Sequence, residues 1–203
     1  MLGSSNPCLD IPNEINKMNT DCNLLLNIIK QYKIVKNTNI LDIGCGNGFY
    51  VFGLADYIKS ICGLDPSNSM LESAKKNQKY FKKENIKFLK GSIENNSLKE
   101  KFDIVIFSYS LHFTNDSYKS LLLARDYLTS DGLLIIIEPT KEYVSNKLTI
   151  GHKDYDKEYY DLKQQFLKKS KNDIYLFAKN HELIYYNYND KHFISIIKVL
   201  TNN

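Results

Sequence analysis

Cysteine is scarce in this sequence, and the few cysteines present are not spaced as metal ligands. The 203 residues include four cysteines, at positions 8, 22, 45 and 62, and contain no Cys-x-x-Cys pair. This spacing suggests neither a zinc site nor a framework of disulfides, so we expect no bound metal. A domain of this length needs neither for stability, because it buries roughly 70% of its unfolded surface.

Long apolar runs are also absent, and the excess of positive charge is small. No segment approaches the roughly 20 apolar residues of a membrane span, and the amino-terminal stretch lacks the basic and apolar regions of a signal peptide. We therefore expect a cytoplasmic protein with no membrane partner. The net charge of +4 comes from 27 Lys and Arg against 23 Asp and Glu. It is too small to indicate a nucleic-acid partner by itself.

Short apolar runs alternate with segments of helical periodicity, a pattern typical of βα units around a largely parallel sheet. A capping box at residues 69–72, which begins with Ser69, predicts the start of one helix. A second helix is predicted to begin at Asp116 or Ser117 and to end at residues 130–132, Ser-Asp-Gly. The predicted strands are Asn39–Ile43, Ser60–Leu64, Ile86–Leu89, Phe102–Phe107 and Leu133–Glu138.

The alternation ends after Pro139. A charged amphipathic helix is predicted over Tyr155–Lys171. Two strands, Glu182–Asn189 and His192–Leu200, are predicted to follow, joined by a tight turn around residues 190 and 191. Ahead of the first strand, Ile15–Tyr32 has the pattern of an amphipathic helix. No internal repeat and no linker rich in Pro or Gly is present, which indicates a single domain.

Three glycines at alternate positions follow the first predicted strand. Gly44, Gly46 and Gly48 lie between that strand and a helix, where bare backbone lets a ligand approach closely. A dinucleotide-binding loop needs Gly-x-Gly-x-x-Gly, but its third glycine position is Phe49 here, which argues against NAD and FAD. A phosphate-binding P-loop is excluded because no Gly-Lys-Ser/Thr follows the glycines.

An acidic residue, Asp65, ends the next predicted strand. A carboxylate at that position can accept hydrogen bonds from both hydroxyls of a ribose. Alternatively, Asp65 and the Pro66 and Ser67 that follow only begin the next helix. We favour ribose binding, because Asp65 follows the glycine loop by one βα unit.

Four segments, in this order and at βα spacing, make the sequence resemble the class I S-adenosylmethionine-dependent methyltransferases, in their small-molecule branch. LDIGCGNG and LDPSNSMLESA are similar to the family's first and second motifs, and FDIVIFSYSLHF and YLTSDGLLIIIEP to its fourth-strand and fifth-strand motifs. The resemblance implies an α/β fold, three-layer and doubly wound, with a mostly parallel seven-stranded sheet and a C-terminal antiparallel hairpin. It divides the single domain into a helical cap (1–37), a cofactor-binding core (38–139), a substrate-covering segment and helix (140–181) and a closing hairpin (182–203).

The resemblance also implies which residues bind S-adenosylmethionine. Asp42 would orient the methionine amino group, and Pro66 and Met70 would pack on the adenine. Ser92 stands where many relatives have an acid that accepts from the adenine amino group, and a hydroxyl accepts more weakly than a carboxylate. The implied cofactor-binding residues are Asp42, Gly44, Cys45, Gly46, Gly48, Asp65, Pro66, Met70, Ser92, Ile93 and Ser108.

His112 is the candidate catalytic residue. It follows the fourth strand, where substrate would approach, and could take a proton from the methyl acceptor. Alternatively, it caps the next helix or contacts the adjoining loop. The candidate substrate-binding residues are Tyr109, His112, Tyr143 and His152, although a lone histidine such as His152 is more often exposed than catalytic. Other tyrosines could face the sulfonium by cation–π attraction or could pack a helix onto the sheet: Tyr155, Tyr159 and Tyr160.

The implied activity is methyl transfer from S-adenosylmethionine to a nitrogen or oxygen of a small molecule by in-line displacement, with S-adenosylhomocysteine as product. Such a reaction depends mainly on positioning and on exclusion of water, so it needs no fixed triad. Two alternatives stay open: an RNA or protein methyltransferase, and a methyltransferase-like partner subunit that does not catalyse. Only the lysine-rich stretch 75–101 favours RNA, and a solvated helix face explains it as well. We expect a monomer or a homodimer.

Overall fold

The computed structural model describes residues 15–32, 36–140, 142–144, 157–188 and 191–200. Its strands are β1 (Asn39–Ile43), β2 (Ser60–Asp65), β3 (Ile86–Lys90), β4 (Phe102–Ser108), β5 (Leu128–Pro139), β6 (Glu182–Tyr188) and β7 (His192–Lys198). They form a seven-stranded sheet in the order β3-β2-β1-β4-β5-β7-β6. The helices are α1 (Ile15–Lys30), α2 (Phe49–Leu54), α3 (Asn68–Phe81), α4 (Ser117–Asp126) and α5 (Lys157–Ala178), with short 3₁₀ helices at Ala55–Tyr57 and Leu111–Phe113. The predicted α/β fold with a mixed seven-stranded sheet is confirmed, and none of the described helices is long and apolar enough to cross a bilayer.

The chain divides into two compact units, with the boundary between residues 104 and 105. In the first unit, β2 pairs in parallel with β1 on one side and with β3 on the other. Ile43 at the end of β1 lies opposite Leu64, the residue before Asp65. Both strands are buried along nearly their whole length, as expected of strands covered on both faces. The register therefore brings the carboxyl ends of β1 and β2 together.

Helix α3 begins two residues earlier than its capping box predicts. Ser67, not Ser69, is the residue at the N-terminal cap, and its Oγ accepts a hydrogen bond from the backbone N–H of Met70. Ser69 lies inside the first turn, with its hydroxyl 2.9 Å from that of Ser67. The prediction of the capping residue was wrong because two serines compete for one cap, and only Ser67 has the extended backbone that a cap requires.

In the second unit, β7 pairs antiparallel with β5 on one side and with β6 on the other, which confirms the predicted C-terminal hairpin. The turn between β6 and β7 falls partly outside the described residues. Helix α4 is capped by Asp116, whose carboxylate accepts from the backbone N–H of Lys119. Helix α5 buries Leu167, Ile174 and Phe177. A helix was predicted over Tyr155–Lys171, and the observed helix extends beyond that range to Ala178, where Ile174 and Phe177 lie.

The prediction that residues 130–132 end α4 was wrong. The helix ends at Asp126, and β5 begins at Leu128 and contains all three residues. Asp131 takes a left-handed backbone conformation with φ 62°. A Cβ on Gly132 would lie 2.9 Å from the side chain of Leu128. The Ser-Asp-Gly segment is thus a bend at the start of a strand, which has the same residue preferences as a helix end.

Candidate functional site

The loop between β1 and α2 exposes backbone at the carboxyl end of the sheet. The N–H of Gly44 donates to the carbonyl of Leu64 at 2.7 Å, which holds the loop against the end of β2. Gly46 has a left-handed backbone with φ +56°, and a Cβ placed on it would meet no atom within 4 Å. The space in front of this glycine is open, so a ligand can contact the peptide backbone directly.

Packing inside the first unit holds the other residues of the loop in place. Gly48 caps α2 with φ +92°, and a Cβ there would lie 2.5 Å from the ring of Phe52. The buried side chain of Asn77, on α3, donates to the carbonyl of Asn47 at 3.1 Å. The buried Cys45 lies so close to β2 that a Cβ on Gly63 would be 2.7 Å from its Sγ. Conformational freedom in this loop is therefore small.

Asp65 and the glycine loop are brought together, as predicted. Its Oδ2 accepts from the N–H of Gly46 at 2.8 Å, and its Oδ1 accepts from the N–H of Ser67 at 2.8 Å. Burial raises the pKa of Asp65, and the hydrogen bonds from Ser67 and Gly46 oppose that rise. A carboxylate has about four acceptor positions, so these two bonds leave room for a pair of ligand hydroxyls.

Asp42 is more deeply buried than Asp65, at 1% exposure against 7%. Burial, with a smaller contribution from the charge of Asp65, raises its pKa from 3.8 to about 7. Its Oδ1 is buried and has no hydrogen-bond partner among the described residues. An unpartnered carboxylate oxygen in such a setting is well suited to a cationic donor, because the charge would repay the cost of burial.

The remaining residues predicted to bind the cofactor differ in their solvent exposure and in the hydrogen bonds that they already make. Pro66 is exposed, Met70 is half-buried, and Ile93 is buried. The Ser92 hydroxyl accepts from the backbone N–H of Asn95 at 3.2 Å, so it already takes part in a local turn. Ser108 lies half-buried at the end of β4, in the second unit.

His112 in the second unit is paired with a buried acid. Its Nδ1 lies 2.5 Å from Oε2 of Glu138, and both side chains are fully buried. The other oxygen of Glu138 accepts from the backbone N–H of Leu111 at 3.2 Å. The Nε2 of His112 is buried and has no hydrogen-bond partner in the described parts of the chain. The cap of α4 is Asp116, so the alternative that His112 caps this helix is excluded.

Lys163, on α5, interacts electrostatically with the acid of this pair. Burial lowers the pKa of Lys163, and the charge of Glu138 opposes that change. The Lys163 Nζ lies 5.3 Å from the ring centre of Phe113, the residue after His112. Sequence reasoning did not find Glu138 or Lys163. The only signal for Glu138 was a charged residue at the end of an otherwise apolar run, Leu-Leu-Ile-Ile-Ile-Glu.

Tyr109, a predicted substrate residue, has an unusual backbone. Its φ of 53° is left-handed, which costs energy for a bulky side chain. The Tyr109 N–H donates to the carbonyl of Ile137 at 2.7 Å, and its hydroxyl lies 3.3 Å from Nδ1 of His192. Tyr143 is half-buried. His152 and Tyr155 lie outside the described residues, as do the side chains of Tyr159 and Tyr160.

Comparison with known proteins identifies similar sequences. A family model described as a methyltransferase domain matches residues 34–184. The Ubiquinone/menaquinone biosynthesis C-methyltransferase UbiE of Campylobacter jejuni is 32% identical over 114 residues, which cover 52% of this chain and 46% of that protein. The Ubiquinone biosynthesis O-methyltransferase of Pelagibacter ubique is 30% identical over 149 residues, which cover 64% of this chain and 62% of that protein. The chain thus spans between 46% and 62% of the length of these two relatives.

A solved structure has the same fold. The N-methyltransferase NodS from Bradyrhizobium japonicum WM9, in complex with S-adenosyl-L-homocysteine, aligns with a TM-score of 0.61 at 14% identity. The alignment covers 90% of this chain and 86% of NodS. At this identity the likeness extends to the fold alone.

Proposed function

The chain belongs to the methyltransferase domain family, and from this premise we propose that it transfers the methyl group of S-adenosylmethionine to a small molecule. The proposal rests on one observation above all. The carboxylate that ends β2 is hydrogen-bonded to the open glycine of the β1–α2 loop, at 2.8 Å. This hydrogen bond joins an open stretch of backbone to the acid that we propose binds the ribose. The relatives of this chain are named as methyltransferases.

The residues of the first unit fit S-adenosylmethionine. The open space at Gly46 admits a ligand to the backbone. The free acceptor positions of Asp65 match the two hydroxyls of a ribose. The buried Oδ1 of Asp42, which no described residue hydrogen-bonds, matches an ammonium group. Gly44, Cys45, Gly48, Pro66, Met70 and Ile93 would complete the contacts, and Ser92 would contribute weakly because its hydroxyl is already bonded to Asn95.

When bound, the cofactor supplies a methyl group on a positively charged sulfur that leaves readily. The protein's task is therefore to bind, to orient and to exclude water. In the second unit we assign His112 the role of a general base, which takes a proton from the molecule that receives the methyl group. Its Nε2 can do so because it is unpartnered within the described residues. Ser108, Tyr109, Tyr143 and His152 are the further residues proposed at the methionine end and the acceptor.

The proposed acceptor is a nitrogen or oxygen atom of a small molecule. The names of the relatives support a small molecule, since they include ubiquinone and menaquinone biosynthesis. They do not agree on the acceptor atom, because one is named a C-methyltransferase and the other an O-methyltransferase.

Calorimetry with S-adenosylmethionine and S-adenosylhomocysteine tests the proposal directly. We expect both ligands to bind. Asp65→Ala should weaken each by about 1–3 kcal/mol, the cost of leaving ligand hydroxyls without their acceptor. Glu84→Ala, which removes an exposed acid of the same unit, serves as the matched control and should bind as the wild type does. No heat at millimolar ligand would overturn the proposal, and unchanged affinity in Asp65→Ala would overturn the ribose assignment.

A further inference from the structure

Glu138 and His112 form a pair whose donors and acceptors can be assigned. An ionised carboxylate only accepts hydrogen bonds. Its two oxygens face two nitrogens, the backbone N–H of Leu111 at 3.2 Å and Nδ1 of His112 at 2.5 Å. Nδ1 must therefore carry the proton in the neutral imidazole. Nε2 is then left with a lone pair, buried and without a partner among the described residues.

A second residue, Lys163, interacts electrostatically with Glu138. Burial lowers the pKa of Lys163, and the negative charge of Glu138 opposes that change. The negative charge of Glu138 thus has a cationic partner without a proton on Nε2. A buried carboxylate needs such partners, because an isolated one is strongly disfavoured.

We propose that Glu138 is a positioning residue that holds His112 as its Nδ1–H tautomer, and that the site consequently serves a methyl acceptor with a removable proton. Hydroxyl groups, such as those of phenols and enols, belong to this class of acceptor. Tertiary amines and thioethers do not, since they need no base. The inference rests on the proposed function and deepens it by naming the acceptor class.

The acceptor oxygen uses a lone pair to form the new bond to the methyl carbon, and the electrons of the broken carbon–sulfur bond stay on sulfur. The hydroxyl proton moves to Nε2 of His112, which becomes an imidazolium. Its positive charge is stabilised by Glu138 at Nδ1, an arrangement that a neutral partner could not provide.

Glu138→Gln separates this role from simple packing. The glutamine side chain has nearly the same shape but presents one acceptor and one NH₂ donor. Glutamine cannot accept from both the Leu111 N–H and a protonated Nδ1, because only one of its two terminal atoms is an acceptor. We therefore expect His112 to change to the Nε2–H tautomer, with Nδ1 accepting from the glutamine NH₂. Nε2 would then carry a proton already and could not take one from the acceptor.

Long-range ¹H–¹⁵N spectra of the full chain with ¹⁵N-labelled histidine read the tautomer without any acceptor. The chain has four histidines, and His112→Asn identifies the signals of His112. We expect protonated Nδ1 and bare Nε2 in the wild type, and the reverse in Glu138→Gln. Asp103→Asn is the control, since Asp103 accepts from the backbone N–H of Asn39 and the change should leave the spectrum as it is. If Glu138→Gln fails to fold, Glu138→Asp keeps an acceptor-only group and should retain the wild-type tautomer.

A second experiment measures the formation of S-adenosylhomocysteine with two groups of candidate acceptors. The first group contains phenols and catechols, and the second contains tertiary amines and thioethers. We expect turnover with the first group only, and a loss of about 100-fold or more in kcat for Glu138→Gln, the usual contribution of a general base. Cofactor affinity by calorimetry should stay within about twofold. A protonated Nε2 in the wild type, or transfer to tertiary amines that survives Glu138→Gln, would overturn the inference. Absence of cofactor binding would instead overturn the proposed function.

Discussion

The negative charge of Asp65 raises the pKa of Asp42, the buried carboxyl on the neighbouring strand β1. Burial is the larger cause, and together the two effects bring the pKa to about 7. Asp42 is consequently divided between its neutral and ionised forms near neutral pH. Its Oδ1, which has no hydrogen-bond partner in the part of the chain that the structure describes, is the atom that we propose binds the ammonium group of the cofactor. Binding and ionisation should therefore be linked.

The first prediction is that cofactor affinity rises with pH across this pKa. Below about pH 7 the Asp42 carboxyl is neutral and offers an ammonium group little attraction. If only the ionised form binds, calorimetry should give about tenfold tighter binding at pH 8 than at pH 6. Asp42→Asn should bind more weakly and should lose this component of the pH dependence. Titration of the ligand itself affects binding to the wild type and to Asp42→Asn equally. If the affinities of the two proteins depended on pH in the same way, the proposed role of Asp42 would be contradicted.

The second prediction concerns stability without cofactor. The folded-state pKa of Asp42 lies above its ordinary value of 3.8, so the folded state binds more protons between about pH 4 and pH 7. Stability is therefore lost as pH rises through this window. Asp42→Asn has no carboxyl to titrate at this position, so it does not lose stability in this way. The free energy of unfolding of Asp42→Asn minus that of the wild type should therefore increase with pH and level off above pH 7. The total change should be at most about 4 kcal/mol, from 1.36 kcal/mol per pKa unit.

Denaturant unfolding at several pH values measures this difference. Glu84→Gln alters an exposed acid and should run parallel to the wild type at every pH. A constant difference between Asp42→Asn and wild type from pH 4 to pH 8 would show that the Asp42 pKa is not raised.

The third prediction compares two glycines of the loop. Gly46→Ala should cost roughly 1–2 kcal/mol of stability, because an alanine is forced into a left-handed backbone but meets no atom within 4 Å. Its methyl group fills the open space, so cofactor affinity should fall more than stability. Gly48→Ala should cost more stability, because its Cβ would also lie 2.5 Å from the Phe52 ring.

Thermal unfolding and calorimetry on the same samples separate these effects. Gly53→Ala is the matched control, since Gly53 lies within helix α2 and alanine there should be neutral or stabilising by about 0.5–1 kcal/mol. Equal stability losses in Gly46→Ala and Gly48→Ala would contradict the difference in their surroundings.

Strands and the glycine loop could be predicted from the sequence because their signals are local. The apolar run of β1 and the glycines that follow it identify both the strand and the loop, and the structure agrees with the predicted bounds of β1. Ser67 and the start of β5 were missed for the opposite reason. In each case two neighbouring segments have equally suitable local sequences. Tertiary packing determines which of them adopts the backbone conformation of the helix cap or of the strand.

The pairing of His112 with Glu138 illustrates a different limit. The two residues are 26 positions apart, and no periodicity links a 3₁₀ turn after one strand to the end of another. A histidine after β4 could be identified as a candidate base, but its tautomer depends on which atom faces Nδ1. That information arises only when β5 and the 3₁₀ helix pack together.

Asp65 has a consequence for the thermodynamics of ligand recognition. Its carboxylate is already immobilised by two backbone donors, one from the loop before α2 and one from the start of α3. A free aspartate would lose rotational entropy on binding a ligand, whereas these two hydrogen bonds already restrict Asp65. The ordering cost was met during folding, so a hydrogen bond from the proposed ribose would lose less affinity to the ordering of this side chain.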